Sequence, residues 1–483
     1  MADLRWAGKV FNGQWETSPA GTISVIEPAT GRSIALAGAA GASEIARAAE
    51  RAAATQPGWA SVAPHGRAEV LRSAAAALHG SATELAHLVA RETGGTLRKG
   101  AHEVHEAVAL LHTAAALALG GRGEVLQSPS NSLSYARRIP RGVVGIISPF
   151  NFPMILSMRA LAPALATGNA VILKPDAQTP LSGGYVLARA FEEAGLPPGV
   201  LHVLAGGAEA GEAMCVNPDI SMIQFTGSTA VGRRVAGLAG QHLKKVSLEL
   251  GGNNALIILD DADLELAVNN AAFGAYLHQG QICMASSRIF VQQAVIAEFT
   301  RMFTEKARSL RAGDPLGEIP VALGPVINER QSRRIQDIVA DTVRAGAKLE
   351  CGGHRTGLFH EPAVLSGVKP GMRSFDEETF GPVASLIAFD TDADALALAN
   401  RHEGALAAAV ISRSVGRAMR IAEKLKAGLV HINDQTVKDD GNNPFGAPGV
   451  AGAGSSVGGP ADLDEYTRWQ WVTIRDTPVR YPL

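Results

Sequence analysis

The sequence predicts an α/β protein with two separately packed, largely parallel sheets, and three observations carry that prediction. The 483-residue length exceeds what one compact core accommodates, so two or three domains are expected. Hydrophobic residues make up 46% and aromatics only 5%, a composition typical of soluble, helix-rich α/β proteins. From Arg141 onward, short apolar runs alternate with helical segments. Strands that are apolar on both faces belong in sheets covered on both sides, which are usually parallel.

Ahead of that alternation, Ser43 to Gly120 reads as helix. Ile45, Ala48, Ala49 and Ala52 recur at helical spacing, as do Val70, Leu71, Ala74, Ala75 and Leu78. Val104, Val108, Leu110 and Leu111 continue the pattern, and glycines 80, 94, 95 and 120 punctuate it. The most apolar helical stretch, Ala107 to Leu119, contains His112 and is too short to span a bilayer. Glu124 to Arg138 alternates like a hairpin, with Pro129 and Asn131 at its turn.

Five apolar runs then read as strands: Val143–Ile147, Ala170–Leu173, Val200–Leu204, Met222–Phe225 and Val246–Leu248. Leu181 to Ala194 is a helix between them. A second series follows Gly251: Leu256–Leu259, Arg288–Val291, Ala384–Ile387 and Ala407–Ile411. Gly441 to Gly459 reads as a functional loop. Asp464 to Ile474, with Trp469 and Trp471, reads as a terminal strand, and exposed strands of this kind invite pairing with another subunit.

Charge and cysteine content exclude several function classes. A net charge of -2 and a pI near 6.7 provide no basic field for nucleic acid or an anionic membrane. Met1 to Val10 lacks the apolar core of a secretory signal. Cys215, Cys283 and Cys351 are odd in number and far apart, so no disulfide framework or metal site is expected, and a reducing cytoplasm is the natural setting.

In sheets of this type ligands bind at the carboxyl ends of strands, where the candidate chemical groups fall. Cys283, in Gln279-Gly280-Gln281-Ile282-Cys283-Met284, is either a nucleophile or a buried structural cysteine. A helix starting beside it would lower its thiol pKa. Glu249 closes a buried strand, where desolvation suits a carboxylate to be a general base; a salt-bridged or capping glutamate is the alternative. Asn151, between Pro149 and Pro153, is an oxyanion donor or a turn residue.

Phe225-Thr226-Gly227-Ser228-Thr229 is a strand, a turn and a helix start, able to bind pyrophosphate or merely to connect. Lys174 at a strand end is a ribose ligand or a surface lysine. Glu377-Glu378 is a ribose-binding turn or a solvated loop. His278 reads as packing, because Glu249 is better placed to activate water.

Taken together and in this order, these segments resemble the NAD(P)-dependent aldehyde dehydrogenase superfamily. The resemblance runs from Glu27-Pro28-Ala29-Thr30-Gly31 through Pro149-Phe150-Asn151-Phe152-Pro153, Leu173-Lys174-Pro175, Phe225-Thr226-Gly227-Ser228, Leu248-Glu249-Leu250-Gly251-Gly252-Asn253, Gly280-Gln281-Ile282-Cys283, Glu378-Thr379-Phe380-Gly381-Pro382 and Asn443-Pro444-Phe445-Gly446.

It implies an aldehyde dehydrogenase-like fold: a Rossmann-type cofactor domain over 1–120 and 141–250, an α/β catalytic domain over 251–443, and oligomerisation strands at 121–140 and 461–483. It implies Cys283 as the nucleophile forming a thiohemiacetal, Asn151 and the Cys283 N–H as the oxyanion hole, and Glu249 as the base that frees the thioester. Ser148, Pro149, Lys174, Asp176, Gly227, Ser228, Glu378 and Phe380 are the implied cofactor residues. A homodimer or homotetramer is also implied.

Glu249 favours release of a free acid, because relatives that transfer the acyl group to coenzyme A generally lack a glutamate there. Departures bear on the cofactor and the late loop. Many NAD-preferring members have Lys-Pro-Ser-Glu where this chain has Lys174-Pro175-Asp176-Ala177; Ala177 gives no repulsion of a 2′-phosphate, while Asp176 restores some. NAD is expected and NADP stays open. Ala447 and Ala451 replace the usual Gly and Ser.

Ile147 to Pro153 with Ser157-Met158-Arg159, and His278 to Met284, look most like the benzaldehyde and vanillin dehydrogenase branch. Phe152, Leu156, Tyr276, Ile282 and Met284 would line an apolar slot for a ring, or serve as wall and core. Aromatic aldehydes are therefore expected. Aliphatic aldehydes or semialdehydes, a coenzyme A-acylating activity, and a non-catalytic binding protein are the alternatives.

Overall fold

A computed structural model describes residues 6–129, 131–401 and 405–482. The reading of Met1 to Val10 therefore lies partly outside the described residues, as does Ser130 in the hairpin turn. The first seven-stranded sheet runs in the order Lys245–Leu250, Ile220–Gly227, Val143–Ile147, Ala170–Lys174, Leu201–Val203, Lys9–Asn12, Trp15–Thr17. Its first five strands are parallel and the last two are antiparallel additions. All of Val143–Ile147 and Ala170–Lys174 is buried, which is why those runs carry no alternation. Successive strands step one way from Val143–Ile147 and then the other, so a ligand crevice opens at its carboxyl end.

Four helices, Ala42–Ser61, Pro64–Gly80, Ala82–Thr93 and Leu97–Leu119, fill the region read as helical. Pro64 starts its helix without wasting an N–H. Gly94 ends the third in the left-handed region at φ 70. Thr96 caps the fourth by accepting from the Lys99 N–H. Leu181 to Ala194 is not a plain helix. It enters through a wide turn, Leu181–Tyr185, and becomes α-helical over Val186–Glu193. The buried Glu92 carboxylate takes the Leu181 and Ser182 N–H groups at that entry.

The second seven-stranded sheet runs Lys348–Cys351, Ala363–Ser366, Val383–Phe389, Arg288–Gln292, Ala255–Ile258, Ala405–Ile411, Ala427–Ile432. Only the Lys348–Cys351 edge is antiparallel. A third, antiparallel sheet joins Thr467–Arg475 to Ser132–Pro140 and Gly123–Leu126. The terminal strand starts later than the sequence suggests, because Ala461–Tyr466 is a short helix. Asp462 sits in its first turn and accepts from the Gly458 N–H, so the acidic residues belong to a helix start. Among the described residues, no helix is long and apolar enough to cross a membrane.

Candidate active site

Glu249 is delivered by the edge strand of the first sheet and is only 4% exposed. Neither carboxylate oxygen has a hydrogen-bond partner. Burial pushes its pKa well above the ordinary carboxylate range; Arg159 pulls it down, while Glu465 and Asp439 push it further up. Gly251, two residues on, lies against the Glu378 carboxylate: a Cβ there would meet Glu378 Oε2 and push that side chain aside. Glycine therefore brings the acidic turn of the second sheet against the end of the first.

Cys283 lies in the loop between the turn Leu277–Gly280 and the strand Arg288–Gln292. No helix begins at it, so the condition under which helix N–H groups would lower its pKa is not met. The approach is instead a run of left-handed residues, His278 (φ 47), Gln279 (φ 56) and Gly280 (φ 67), a backbone that hydrophobic periodicity does not reveal. Without helix N–H groups to stabilise a thiolate, burial pushes the Cys283 thiol far up, and Glu378 and Glu249 add to this. Asn254 holds the loop, donating from Nδ2 to the Cys283 carbonyl (2.8 Å) and the Ala285 carbonyl (3.1 Å). Its Oδ1 accepts from the Ala407 N–H.

Asn151 is buried, and its Nδ2 donates to the Gln281 carbonyl at 3.0 Å, two residues before Cys283. Asn151, Glu249, Cys283 and Glu378 thus converge from four separate segments. Ile282 and Met284 join Phe445, Ala447, Ala451 and Val457 in an apolar cluster against which Phe152 and Cys283 pack. Leu156 lies one helical turn beyond Phe152. Tyr276 does not belong there. Its ring stacks on Phe303 in the core of the second sheet, and its hydroxyl donates to the Ala363 carbonyl. The helix Leu264–Tyr276 turns it inward, which its nearness in sequence to Cys283 conceals. His278 packs edge-on against Phe152 at 5.3 Å, and burial, with Lys99 nearby, lowers its pKa well below the ordinary histidine value.

Of the predicted cofactor residues, Ser148, Pro149, Lys174, Asp176, Gly227 and Ser228 lie at or just beyond the carboxyl ends of three neighbouring strands of the first sheet. Ser148 N donates to the Lys174 carbonyl, and Ser157 Oγ donates to Ser148 Oγ, so the turn entering Pro149 is fixed. Lys174 is 8% exposed and donates to the Gly206 carbonyl at 3.0 Å. Burial lowers its pKa, and Asp176 offsets part of this. Asp176 accepts from Gln178 N and Nε2. Gly227 ends its strand, and Ser228 starts the helix Thr229–Gln241 without using its side chain as a cap. Phe380, at φ 53, meets Phe150 edge-on at 5.9 Å.

Sequence reasoning gave no role to Arg159 and Asp439. Arg159 Nη2 donates to both Asp439 carboxylate oxygens at 2.7 Å, and its guanidinium lies 4.6 Å from the Phe445 ring centre. Arg159 follows Phe152 by seven and Leu156 by three, a spacing that puts all three on one helical face. That spacing was the available signal.

The aldehyde dehydrogenase family profile matches residues 15–472. A vanillin dehydrogenase of Amycolatopsis sp. is 46% identical over 483 residues, covering 100% of this chain and 99% of its own. An NAD(+) benzaldehyde dehydrogenase of Pseudomonas putida is 43% identical, covering 99% and 98%. Among solved structures, a betaine aldehyde dehydrogenase of Staphylococcus aureus in complex with NAD+ superposes with a TM-score of 0.95 at 31% identity, covering 98% and 96%. With the fold, the converging site and the full-length match in agreement, this chain belongs to the aldehyde dehydrogenase family.

Proposed function

We propose that the protein oxidises aromatic aldehydes to free carboxylic acids with NAD as hydride acceptor. The observation that carries this is the pairing of Cys283 with a buried, unpartnered Glu249 carboxylate beside an apolar, ring-bearing cluster. The relatives named for vanillin and benzaldehyde support an aromatic substrate over an aliphatic one.

The crevice residues fit a dinucleotide. Glu378 Oε1 is buried without a partner, an acceptor open to a ribose hydroxyl; burial raises this carboxyl to about 7, and a donated hydrogen bond would favour its ionised form. The first-turn N–H groups after Ser228 face no capping side chain and suit a pyrophosphate. Lys174 and Asp176 would hold the adenosine ribose, with Ser148, Pro149, Gly227 and Phe380 shaping the path. Asp176 supports NAD over NADP. When bound, the nicotinamide supplies a two-electron hydride acceptor.

Cys283 Sγ, as thiolate, adds to the aldehyde carbon, and the resulting oxyanion accepts from Asn151 Nδ2 and the Cys283 N–H. Loss of hydride from that carbon leaves a thioester. Glu249 takes a proton from water, the hydroxide oxygen adds to the thioester carbon, and the C–S bond breaks to return the thiolate and release the acid.

Residues 1–120 and 141–250 would form the cofactor domain and 251–443 the catalytic domain. Strands in 121–140 and 461–483 would pair subunits of a homodimer or homotetramer. Three free cysteines fit a reducing cytoplasm.

Benzaldehyde and NAD should yield reduced cofactor without coenzyme A. Glu249→Gln should keep a first turnover, lose about 10²–10⁴-fold in steady-state rate, and accumulate an acyl adduct on Cys283 visible by mass spectrometry. Silence toward every aldehyde tested, or full turnover in Glu249→Gln, would overturn the reading.

A further inference from the structure

We propose that the buried Lys99–Glu103 ion pair is a positioning device for the oxyanion donor Asn151. The inference rests on the role proposed above for Asn151. The helix Leu97–Leu119 places the two side chains one turn apart, and they are 2% and 0% exposed. An ion pair so deep is weak evidence of stabilisation, because desolvation opposes its Coulombic gain and an apolar pair of similar volume often serves as well. What distinguishes this pair is where its hydrogen bonds go.

Lys99 Nζ has three protons and three acceptors. It donates to Glu103, to the Asn151 carbonyl at 2.7 Å and to Thr93 Oγ1 at 3.3 Å. Glu103 Oε2 accepts from Met154 N at 2.9 Å and Ile155 N at 3.3 Å. Those N–H groups open the helix Pro153–Ala166, where Pro153 has none to give and Phe152 supplies no side-chain cap. The pair therefore grips the chain on both sides of Phe152. One contact is to the carbonyl of Asn151 and two are to the helix that follows. Lys99 Nζ also lies 4.5 Å from the Phe152 ring centre.

With its carbonyl and the next helix start both anchored, the Asn151 backbone has one orientation. Its Nδ2 then reaches the Gln281 carbonyl on the Cys283 loop. Neither Lys99 nor Glu103 needs to touch substrate, so both act through Asn151.

The decisive variant replaces both partners, Lys99→Met with Glu103→Leu, in the full-length enzyme. This removes both charges of the pair together, and the buried Glu92 carboxylate keeps its Leu181 and Ser182 N–H donors, so the fold is expected to survive with a melting temperature near that of the parent. The first-turnover burst of reduced cofactor should fall about 10–100-fold, approaching the loss for Asn151→Ala. The KM for NAD should change less than about 3-fold, since the crevice residues are not involved. Combined with Asn151→Ala, the double replacement should add less than about 2-fold, because coupled residues are not additive. Glu103→Gln, which keeps an acceptor for Met154 N, should show the same non-additivity at smaller size and serves if the double variant does not fold.

A parental burst in a folded variant would overturn the proposal. So would a full, multiplicative loss on the Asn151→Ala background, which marks a general structural role. Failure of the aldehyde dehydrogenase reading is a separate result, since there the parent itself produces no reduced cofactor.

Discussion

At the residue scale, the site pits burial against charge. Glu249 must be ionised to take a proton from water, yet burial, Glu465 and Asp439 all favour its neutral form, and Arg159 is the opposing cation. With Glu249 as the base, the thioester-hydrolysis rate should rise with pH through its raised pKa, with the acid limb above the ordinary carboxylate range. Arg159→Met removes the cation that lowers this pKa. The midpoint should move to higher pH, and the rate at a fixed pH on that limb should drop. A pre-steady-state profile separating the burst from steady turnover checks this, and an unmoved midpoint contradicts the electrostatic role. The thiol is subject to the same balance, because Glu378 and Glu249 both raise it. A cationic nicotinamide ring placed beside the thiol would favour the thiolate.

At the element scale, two glycine-dependent approaches set the loops around the site, one within the second sheet and one between the sheets. Gly280, at φ 67, leaves room for the Gly381 carbonyl, which a Cβ would meet at 2.2 Å. Gly251 leaves room for the Glu378 carboxylate. Gly251→Ala should displace that carboxylate and raise the KM for NAD about 10-fold, the scale of one hydrogen bond involving a charged group. The first-turnover rate at saturating NAD should change less. Cofactor titration by fluorescence quenching measures the loss, and unchanged affinity would show that the turn yields freely.

Elements were unevenly legible. Val143–Ile147 and Ala170–Lys174 are buried on both faces, so apolar runs located them closely. Asp464 to Tyr466 reads as strand but folds as helix, because an acidic helix start of six residues is shorter than any periodicity can register. The same limit hid the left-handed run before Cys283.

At the scale of the whole molecule, the third sheet leaves large apolar residues exposed. Val125 is 80% exposed, Trp471 71% and Ile474 48%. Trp471 and Ile474 lie on the terminal strand, which pairs with Ser132–Pro140 along its whole length. If these strands join subunits, Trp471→Glu with Ile474→Glu should lower the mass measured by light scattering while leaving the helical circular dichroism intact. An unchanged assembly would assign the interface to another surface.

The sequence by itself determined the five parallel strands of the first sheet, the four central strands of the second, the family motifs, and the candidate residues Cys283, Glu249, Asn151 and Glu378. Their residue types and order are local properties of the chain. Tertiary structure alone decided which neighbours serve them. Tyr276 is seven residues from Cys283 yet packs in a different core, whereas Lys99 is 52 residues from Asn151 and bonds its carbonyl. Sequence patterns report the face a side chain presents to its own element. Which groups meet across elements depends on how the helices and sheets dock, and the chemistry of this site is set by those meetings.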